Sequence, residues 1–376
     1  MKYVDEFRDR DRASTVLGAI ARVGAVAVAR RGQPVRIMEV CGGHTHAIFR
    51  YGIEGLLPDG IELVHGPGCP VCVLPRGRVD DCVAIAEREG VILASFGDAV
   101  RVPGAGGSLL QAKARGADVR MVYSPLDALA LARRNPGREV VFFAIGFETT
   151  MPATALTVLA AEREGIRNFS VFCNHITIIP AIRSILEAPD LGLDGFLGPG
   201  HVSMVIGTSP YAFVATDYRR PVVVAGFEPL DVLQSILMVL RQIADGRTEV
   251  ENQYRRVVPS DGNALALAAI ERVFELRPVF EWRGLGEIAR SGVRLREDYR
   301  VFDAERRFAI ENAHSADPLA CQCGEVLKGI IKPWQCPLFG TACTPASPLG
   351  ALMVSPEGAC AAWHQYGGVK KGAALA

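Results

Sequence analysis

The chain has 376 residues, enough for two or three domains, and 49% of them are hydrophobic, so it can bury sizeable cores. Its 41 basic and 41 acidic residues balance, which gives no support for a nucleic acid or an anionic membrane surface as its main partner. Its apolar runs are far shorter than the ~20 residues that cross a bilayer, and the charged segment 1–14 does not resemble a signal peptide.

These features predict a cytoplasmic protein that does not enter a membrane, and this location decides how the ten cysteines are interpreted. The cytosol keeps thiols reduced, so a framework of disulfides is a poor explanation for so many of them. Metal binding and thiol catalysis are the better default explanations.

Eight short apolar segments alternate with helical patterns from residue 35 to residue 227. Continuous apolar strands that alternate with helices are typical of parallel sheets covered on both faces. Two sets of four strands predict two similar α/β domains, over 15–124 and 125–235. A TIM barrel is the alternative, and the long helix-rich tail weighs against it. The predicted strands are 35–40, 61–66, 91–96, 119–124, 139–146, 169–174, 195–198 and 221–227.

The sequence pattern changes after about residue 228. Amphipathic helices are predicted over 229–246 and 264–276, and a cysteine-rich tail follows over 321–363. We therefore expect a third domain over 236–376 that is mostly helical and irregular and is held together by a metal group.

Polar or thiol side chains follow most of the predicted strands. Ligands of open parallel sheets bind beyond the carboxyl ends of the strands, so a shared site is favoured for the set. Any one of these residues could instead cap a helix or complete a turn. The residues are Cys41, Cys69, Asp98, Glu148, His175, His201 and Glu228.

The segment CGGHTH, residues 41–46, follows the first predicted strand and precedes a predicted helix. A thiol at a helix N-terminus has its thiolate form favoured by the positive end of the helix dipole. His44 and His46 lie close to Cys41 in the sequence, and a thiolate with an imidazole suits iron, copper or zinc. The alternative is a buried cysteine with histidines that only cap the helix.

Cys69 and Cys72 form a C-x-x-C pair after the second predicted strand. No second pair of this kind exists in the chain, so half of a four-thiolate zinc site is the weaker explanation. In an α/β context the pair predicts a dithiol that cycles to a disulfide, with a purely structural clip as the alternative. Pro70 stiffens the pair, and the flanking glycines let a partner approach closely.

The tail carries four cysteines with the spacing C-x12-C-x6-C-x16-C, namely Cys323, Cys336, Cys343 and Cys360. Cys336 is followed by a proline, as at some iron–sulfur ligands. Trp334, Phe339 and Trp363 could exclude water from such a group. Long gaps and aromatic neighbours favour a [4Fe–4S] cluster, although spacing alone does not separate it from a zinc site.

The sequence resembles the HypD family of hydrogenase maturation factors over essentially its whole length. The resemblance implies two α/β domains of similar fold and a third domain whose cysteines 323, 336, 343 and 360 bind a [4Fe–4S] cluster. The segments that carry it are CGGHTH (41–46), GPGCPVC (66–72), GFETT (146–150), GPGHVS (198–203), the tail segment 323–345 and EGAC (357–360).

The resemblance also implies a function. The chain would be a scaffold on which the Fe(CN)2CO unit of [NiFe]-hydrogenase is assembled, in complex with the small chaperone HypC, while HypE supplies the cyanide groups. Cys41 would hold the iron with His44 nearby. Cys69 and Cys72 would form a dithiol/disulfide pair linked to the cluster, as in ferredoxin:thioredoxin reductase. A stand-alone thiol–disulfide reductase and a zinc-bearing binding module are the alternatives.

Overall fold

The structure, a computed structural model, describes residues 5–188, 192–310, 315 and 317–367. Two parallel sheets form most of the fold, with two small antiparallel sheets beside them. The strands are β1 (Val35–Glu39), β2 (Ile61–His65), β3 (Val91–Ser95), β4 (Val119–Met121), β5 (Glu139–Gly146), β6 (Phe169–His175), β7 (Gly195–Pro199), β8 (Val222–Ala225), β9 (Val250–Asn252), β10 (Phe274–Leu276), β11 (Val279–Trp282), β12 (Gly286–Ala289) and β13 (Val293–Leu295).

Helices cover the sheets and make up part of the tail. They are α1 (Arg10–Arg31), α2 (Gly42–Arg50), α3 (Ile53–Leu56), α4 (Arg76–Ala86), α5 (Leu109–Ala114), α6 (Pro125–Arg134), α7 (Met151–Arg163), α8 (Ile178–Glu187), α9 (Gly200–Ile206), α10 (Ala212–Thr216), α11 (Pro229–Asp245), α12 (Ala264–Val273), α13 (Ala304–Arg307), α14 (Cys323–Leu327) and α15 (Ala359–Tyr366). Short 3-10 helices lie at Asp5–Phe7, Ala99–Arg101, Ser209–Tyr211, Glu297–Phe302, Pro333–Gln335 and Ala351–Met353.

The eight predicted strands are all present, so the predicted α/β class is confirmed. Their order in the two sheets is not the predicted one. The first sheet has the order β2-β1-β7-β8-β9 and the second has the order β4-β3-β5-β6. The second sheet is therefore inserted between β2 and β7, and the grouping of strands into 15–124 and 125–235 is wrong. Two open sheets also exclude the TIM barrel.

The order of the strands in each sheet could not be predicted, because an apolar pattern identifies a strand but not the strand that lies beside it. In the first sheet, Ile37 of β1 pairs with Leu63 of β2 on one side and with Gly195 of β7 on the other. The strands β3, β5 and β6 are similarly apolar and buried, so composition does not favour β7 over them as a neighbour of β1.

Helices α1 and α11 pack against each other over the first sheet. The predicted start of the third domain, at residue 236, falls inside α11 and is therefore wrong: Ile236 and Leu240 belong to the core of the first sheet. The segment Asp5–Arg31, which includes α1, is long and apolar enough to cross a membrane by length and composition alone. In this fold, Ile20 on α1 is buried in the same core.

The predicted helix over 264–276 ends earlier than expected. Helix α12 stops at Val273, and the next three residues form β10, in which Phe274 pairs with Leu295 of β13. The two antiparallel pairs β10–β13 and β11–β12 follow α12, so this region is less helical than the sequence predicted. The predicted third domain extends beyond residue 367, and that part lies outside the described residues.

One buried charge network ties α4 to the second sheet and to α13. Arg78 on α4 is 5% exposed and forms an ion pair with Glu305 on α13. It also donates to Oδ1 of Asn174 at 2.5 Å and to the carbonyl oxygen of Cys173 at 3.1 Å, both on β6. Arg277 contacts the same carboxylate, so Glu305 is held by two cations. The network therefore fixes three elements that meet behind the second sheet.

We expect Arg78→Ala to lower the free energy of unfolding by about 3 kcal/mol, because it removes one partner of a buried ion pair and leaves Oδ1 of Asn174 without its donor. Arg133→Ala is the control, since Arg133 pairs with Glu164 at the surface and is expected to cost less than ~1 kcal/mol. Urea unfolding followed by circular dichroism measures both. Equal losses in the two variants would show that the network does not stabilise the fold.

Candidate functional site

A cleft of about 520 Å³ lies at the carboxyl ends of both parallel sheets. Loops after β1, β2 and β7 of the first sheet contribute to it, and so do loops after β3 and β5 of the second. Parallel strands end at one edge of a sheet, so each sheet directs several loops into this shared space. The lining residues that matter chemically are Cys41, Asp98, Thr149, Thr150, His201 and Glu357.

Cys41 lies at the N-cap of α2, is 7% exposed and lines the cleft. Its backbone N–H donates to Oε2 of Glu39 at 2.9 Å, and its carbonyl oxygen accepts from the His44 N–H at 2.8 Å. Burial and the nearby carboxyls of Glu357 and Glu39 raise the pKa of the Cys41 thiol above its usual value, although the backbone of Gly43 and His44 lowers it. The expectation that the helix end would favour the thiolate is therefore wrong: loss of solvation outweighs the dipole. A cationic ligand would supply the positive charge that is missing.

Glu39 fixes the loop that carries Cys41. It is fully buried and accepts hydrogen bonds from the Cys41 backbone and the Thr45 hydroxyl, and it binds Nδ1 of His65 at 2.9 Å. The register of β1 and β2 places Glu39 opposite His65. Sequence reasoning missed this network, although a carboxylate inside the apolar strand VRIME was a signal for it.

His44 lies behind the cleft wall and does not line the cleft. Its Nε2 is 3.1 Å from the carbonyl oxygen of Ala225 and donates to it, which leaves Nδ1 unprotonated, buried and without a protein partner. Burial lowers the pKa of His44, so the ring is neutral at neutral pH. Phe227 stacks on His44 with ring centroids 4.7 Å apart and on His201, a lining residue, at 3.8 Å.

Cys69 and Cys72 are joined by a disulfide with a Cα–Cα distance of 5.2 Å, and both are buried. Their loop touches the Cys41 loop through its backbone. The Gly42 N–H donates to the Gly68 carbonyl oxygen at 2.9 Å, and a Cβ atom at Gly68 would lie 2.2 Å from the Cys41 nitrogen. The two sequence-predicted thiol motifs thus form one compact unit.

The turn Glu357–Cys360 connects this unit to the tail. A Cβ atom at Gly42 would lie 2.7 Å from Oε2 of Glu357, so the carboxyl group sits against the Cys41 loop. A Cβ atom at Gly358 would lie 3.0 Å from the Cys72 sulfur. Sequence reasoning treated Cys360 of EGAC as a cluster ligand but gave Glu357 no role, because nothing in the spacing links residue 357 to residue 41.

Two carboxyl groups at the cleft, the half-buried Glu357 and the buried Glu148, hold protons unusually well. Burial, together with Asp98 and Glu39, raises the pKa of Glu357 to about 7. Burial raises the pKa of Glu148 to about 7 as well, and its Oε1 accepts from the Ile178 N–H at 3.1 Å while Oε2 has no partner. Both groups are therefore partly protonated near neutral pH.

The tail cysteines line one small cavity. The Leu349 N–H donates to the Cys343 sulfur at 3.4 Å, the kind of contact that surrounds cluster thiolates. Phe339 lines the cavity as expected. Trp334 and Trp363 do not line it and contact each other instead, with ring centroids 4.0 Å apart and the rings tilted by 31°. The lining residues are Cys321, Gln322, Cys323, Val326, Cys336, Leu338, Phe339, Cys343, Met353 and Cys360.

The thiols that line this cavity are a donor set that suits a polynuclear cluster. Within the described residues, no three His, Cys, Asp or Glu side chains converge closely enough to hold a single metal ion. A cluster binds each thiolate through a different iron, so it needs no such convergence. Cys323, Cys336, Cys343 and Cys360, in an otherwise mostly apolar shell, could hold it.

Other predicted candidates lie outside the cleft lining. Glu228 caps α11 and pairs with Arg8 at 2.6 Å, so the capping explanation is the right one there. His175 is fully buried behind the lining residue Thr150, and burial lowers its pKa to about 4. Cys82 and Cys173 are core residues.

Comparison with known proteins identifies the family. A family model described as the hydrogenase formation hypA family, HypD, matches residues 16–367. The hydrogenase maturation factor HypD of Rhodobacter capsulatus is 62% identical over 374 residues, which cover 98% of this chain and 99% of that protein. The protein of the same name from Escherichia coli strain K12 is 57% identical over 366 residues, 97% of this chain and 98% of that protein.

We expect Gly68→Ala to lower the free energy of unfolding by about 2–3 kcal/mol, because its Cβ atom would overlap the Cys41 backbone and force the two thiol loops apart. Gly106→Ala is the control: a Cβ atom there meets nothing within 4 Å, and we expect a change within about 0.5 kcal/mol. Urea unfolding of both variants measures the difference. A Gly68 variant as stable as the control would contradict the close packing of the loops.

Proposed function

The chain belongs to the HypD family and is a hydrogenase maturation factor, and we propose that it is the scaffold on which the Fe(CN)2CO unit of [NiFe]-hydrogenase is assembled. One observation carries the proposal. Cys41 lines a cleft of about 520 Å³ directly beside the Cys69–Cys72 disulfide, and the turn Glu357–Cys360 leads from this pair to the cysteine cavity.

In this proposal Cys41 holds the iron, which is the substrate of the scaffold. A low-spin iron with cyanide ligands needs a soft, electron-rich ligand, and a thiolate meets that need. The positive charge of the iron would replace the solvation that the Cys41 thiolate loses on burial. The neutral His44 ring, held by Ala225 and Phe227, supports the loop from behind.

HypC is the proposed partner at the cleft and contributes a cysteine as a second ligand to the iron. The volume of the cleft leaves room for diatomic ligands and for a side chain from a partner. Apolar Phe96 and Met204 are among the lining residues, which suits a protein contact better than open water. HypE is the proposed transient donor of cyanide, and a cytoplasmic location is part of the same proposal.

The cysteine pair is proposed to exchange electrons with the iron site. Reduction of the disulfide takes two electrons and two protons, breaks the S–S bond and gives two thiols. A bound [4Fe–4S] cluster would supply electrons one at a time. Glu357 lies against Gly42 of the Cys41 loop, and a Cβ atom at Gly42 would lie 3.1 Å from Cβ of Cys69. The carboxyl group of Glu357 is therefore close to the cysteine pair and can hold and release a proton there.

The burial of the disulfide favours the scaffold over a stand-alone thiol–disulfide reductase. Cys69 is 3% exposed and Cys72 is 1% exposed. A reductase for protein disulfides needs a sulfur that a partner's sulfur can reach. Such a reductase would also leave Cys41 and its support by Glu39 without a role.

We expect Cys69→Ala and Cys72→Ala to leave the fold and the iron content of the chain intact while hydrogenase maturation falls by about 100-fold or more, since removing a group that carries chemistry costs at least this factor. Hydrogenase activity in cells that rely on the variant is the measurement, with iron and circular dichroism of the purified chain beside it. Cys82→Ala, which removes a core thiol, is the control and should keep maturation. Normal maturation in either variant of the pair would contradict the proposed electron exchange between the pair and the iron site.

A further inference from the structure

A fifth thiol lies in the cysteine cavity of the tail, and the proposed function gives it no task. The Cys321 sulfur is 3.3 Å from the Cys323 sulfur, and both line the cavity. Cys323 is buried at the start of α14, while Cys321 is half-buried on the turn before it. The Cys321 N–H donates to the Pro318 carbonyl oxygen at 2.8 Å, so this turn is held in place. The fold therefore holds the two sulfurs next to each other.

Gly350 makes room for both sulfurs. A Cβ atom at this position would lie 2.5 Å from the Cys323 sulfur and 2.6 Å from the Cys321 sulfur. Any other residue would push at least one thiol out of the cavity. The glycine at position 350 therefore leaves room for both sulfurs in the cavity.

We propose that Cys321 is a reserve ligand for the tail cluster, able to take the position that Cys323 holds. The inference rests on the cluster of the proposed function. Thiolate–metal bonds are ~2.3 Å long, as at zinc, so two sulfurs 3.3 Å apart can both reach one metal position. In the exchange, the bond from iron to Cys323 breaks and a bond to Cys321 forms. The proton of the Cys321 thiol passes to Cys323, and nothing is oxidised or reduced.

Two of the other proposed ligands differ from Cys323 in this respect, whereas Cys360 contacts the Cys323 thiol itself. In the described part of the chain, Cys336 and Cys343 have no thiol within hydrogen-bonding contact. Cys336→Ala therefore removes a ligand that has no substitute. Cys323→Ala removes one that has a neighbour of the same chemistry, and this difference makes the two variants a matched pair.

The experiment compares Cys323→Ala, Cys336→Ala, Cys321→Ala and the double variant Cys321→Ala/Cys323→Ala, all purified without oxygen. Iron and acid-labile sulfide per chain measure the cluster, and electron paramagnetic resonance of the reduced protein reports a changed ligand. We expect Cys323→Ala to keep at least about half of the wild-type iron with an altered resonance, whereas the double variant and Cys336→Ala fall about tenfold or more.

If purified Cys323→Ala contains as little iron as Cys336→Ala, the inference is overturned. It is also overturned if Cys321→Ala, purified without a chelator, contains as little iron as Cys336→Ala. If Cys323→Ala does not fold, cluster loss to a chelator decides instead: Cys321→Ala should lose iron several-fold faster than wild type, and equal rates would overturn the inference. Zinc in place of iron in the purified wild-type chain would contradict the proposal that the tail binds an iron–sulfur cluster. A wild-type chain with iron and sulfide beside an empty Cys323→Ala variant would overturn only the reserve ligand.

Discussion

The site depends on one close backbone contact, between Gly68 and Cys41. Only a glycine lets the loop after β2 lie against the loop after β1, because a Cβ atom would come within 2.2 Å of the Cys41 nitrogen. The contact brings the thiol motif of one loop against the disulfide of the other. Glu39 stabilises this contact because its carboxylate binds groups of the Cys41 loop and His65 of the neighbouring strand. The turn Glu357–Cys360 then has a fixed surface on which to pack.

The interleaved sheets explain how so many loops share one cleft. β7 pairs with β1 in the first sheet, although all four strands of the second sheet, β3 to β6, lie between β2 and β7 in the sequence. Contacts between residues so distant in sequence slow folding, since the loop must close before the strands pair. In return, the carboxyl ends of both sheets meet at Cys41, Asp98 and His201. A chain of two consecutive domains would not need this order of strands.

Much of the fold could be predicted from sequence. Strands β1 to β8 were found because buried parallel strands are continuous apolar runs, and the position of Cys41 followed from ligand binding at strand ends. Strand neighbours could not be found, because equally apolar strands carry no mark of their partner. Glu357 was missed because its contact with the Cys41 loop is tertiary. The dipole argument failed for Cys41 because burial, which a local pattern does not report, has the larger effect on the pKa.

The central claim is that Cys41 anchors an iron that carries CO and cyanide. The most direct measurement is an infrared spectrum of the chain purified without oxygen with its small partner HypC, from cells that are maturing hydrogenase, beside a Cys41→Ala copy. The account predicts sharp metal-bound CO and CN bands in the wild-type complex and their loss in the variant. A wild-type complex with its cluster intact but without such bands, or bands that persist in Cys41→Ala, would contradict it.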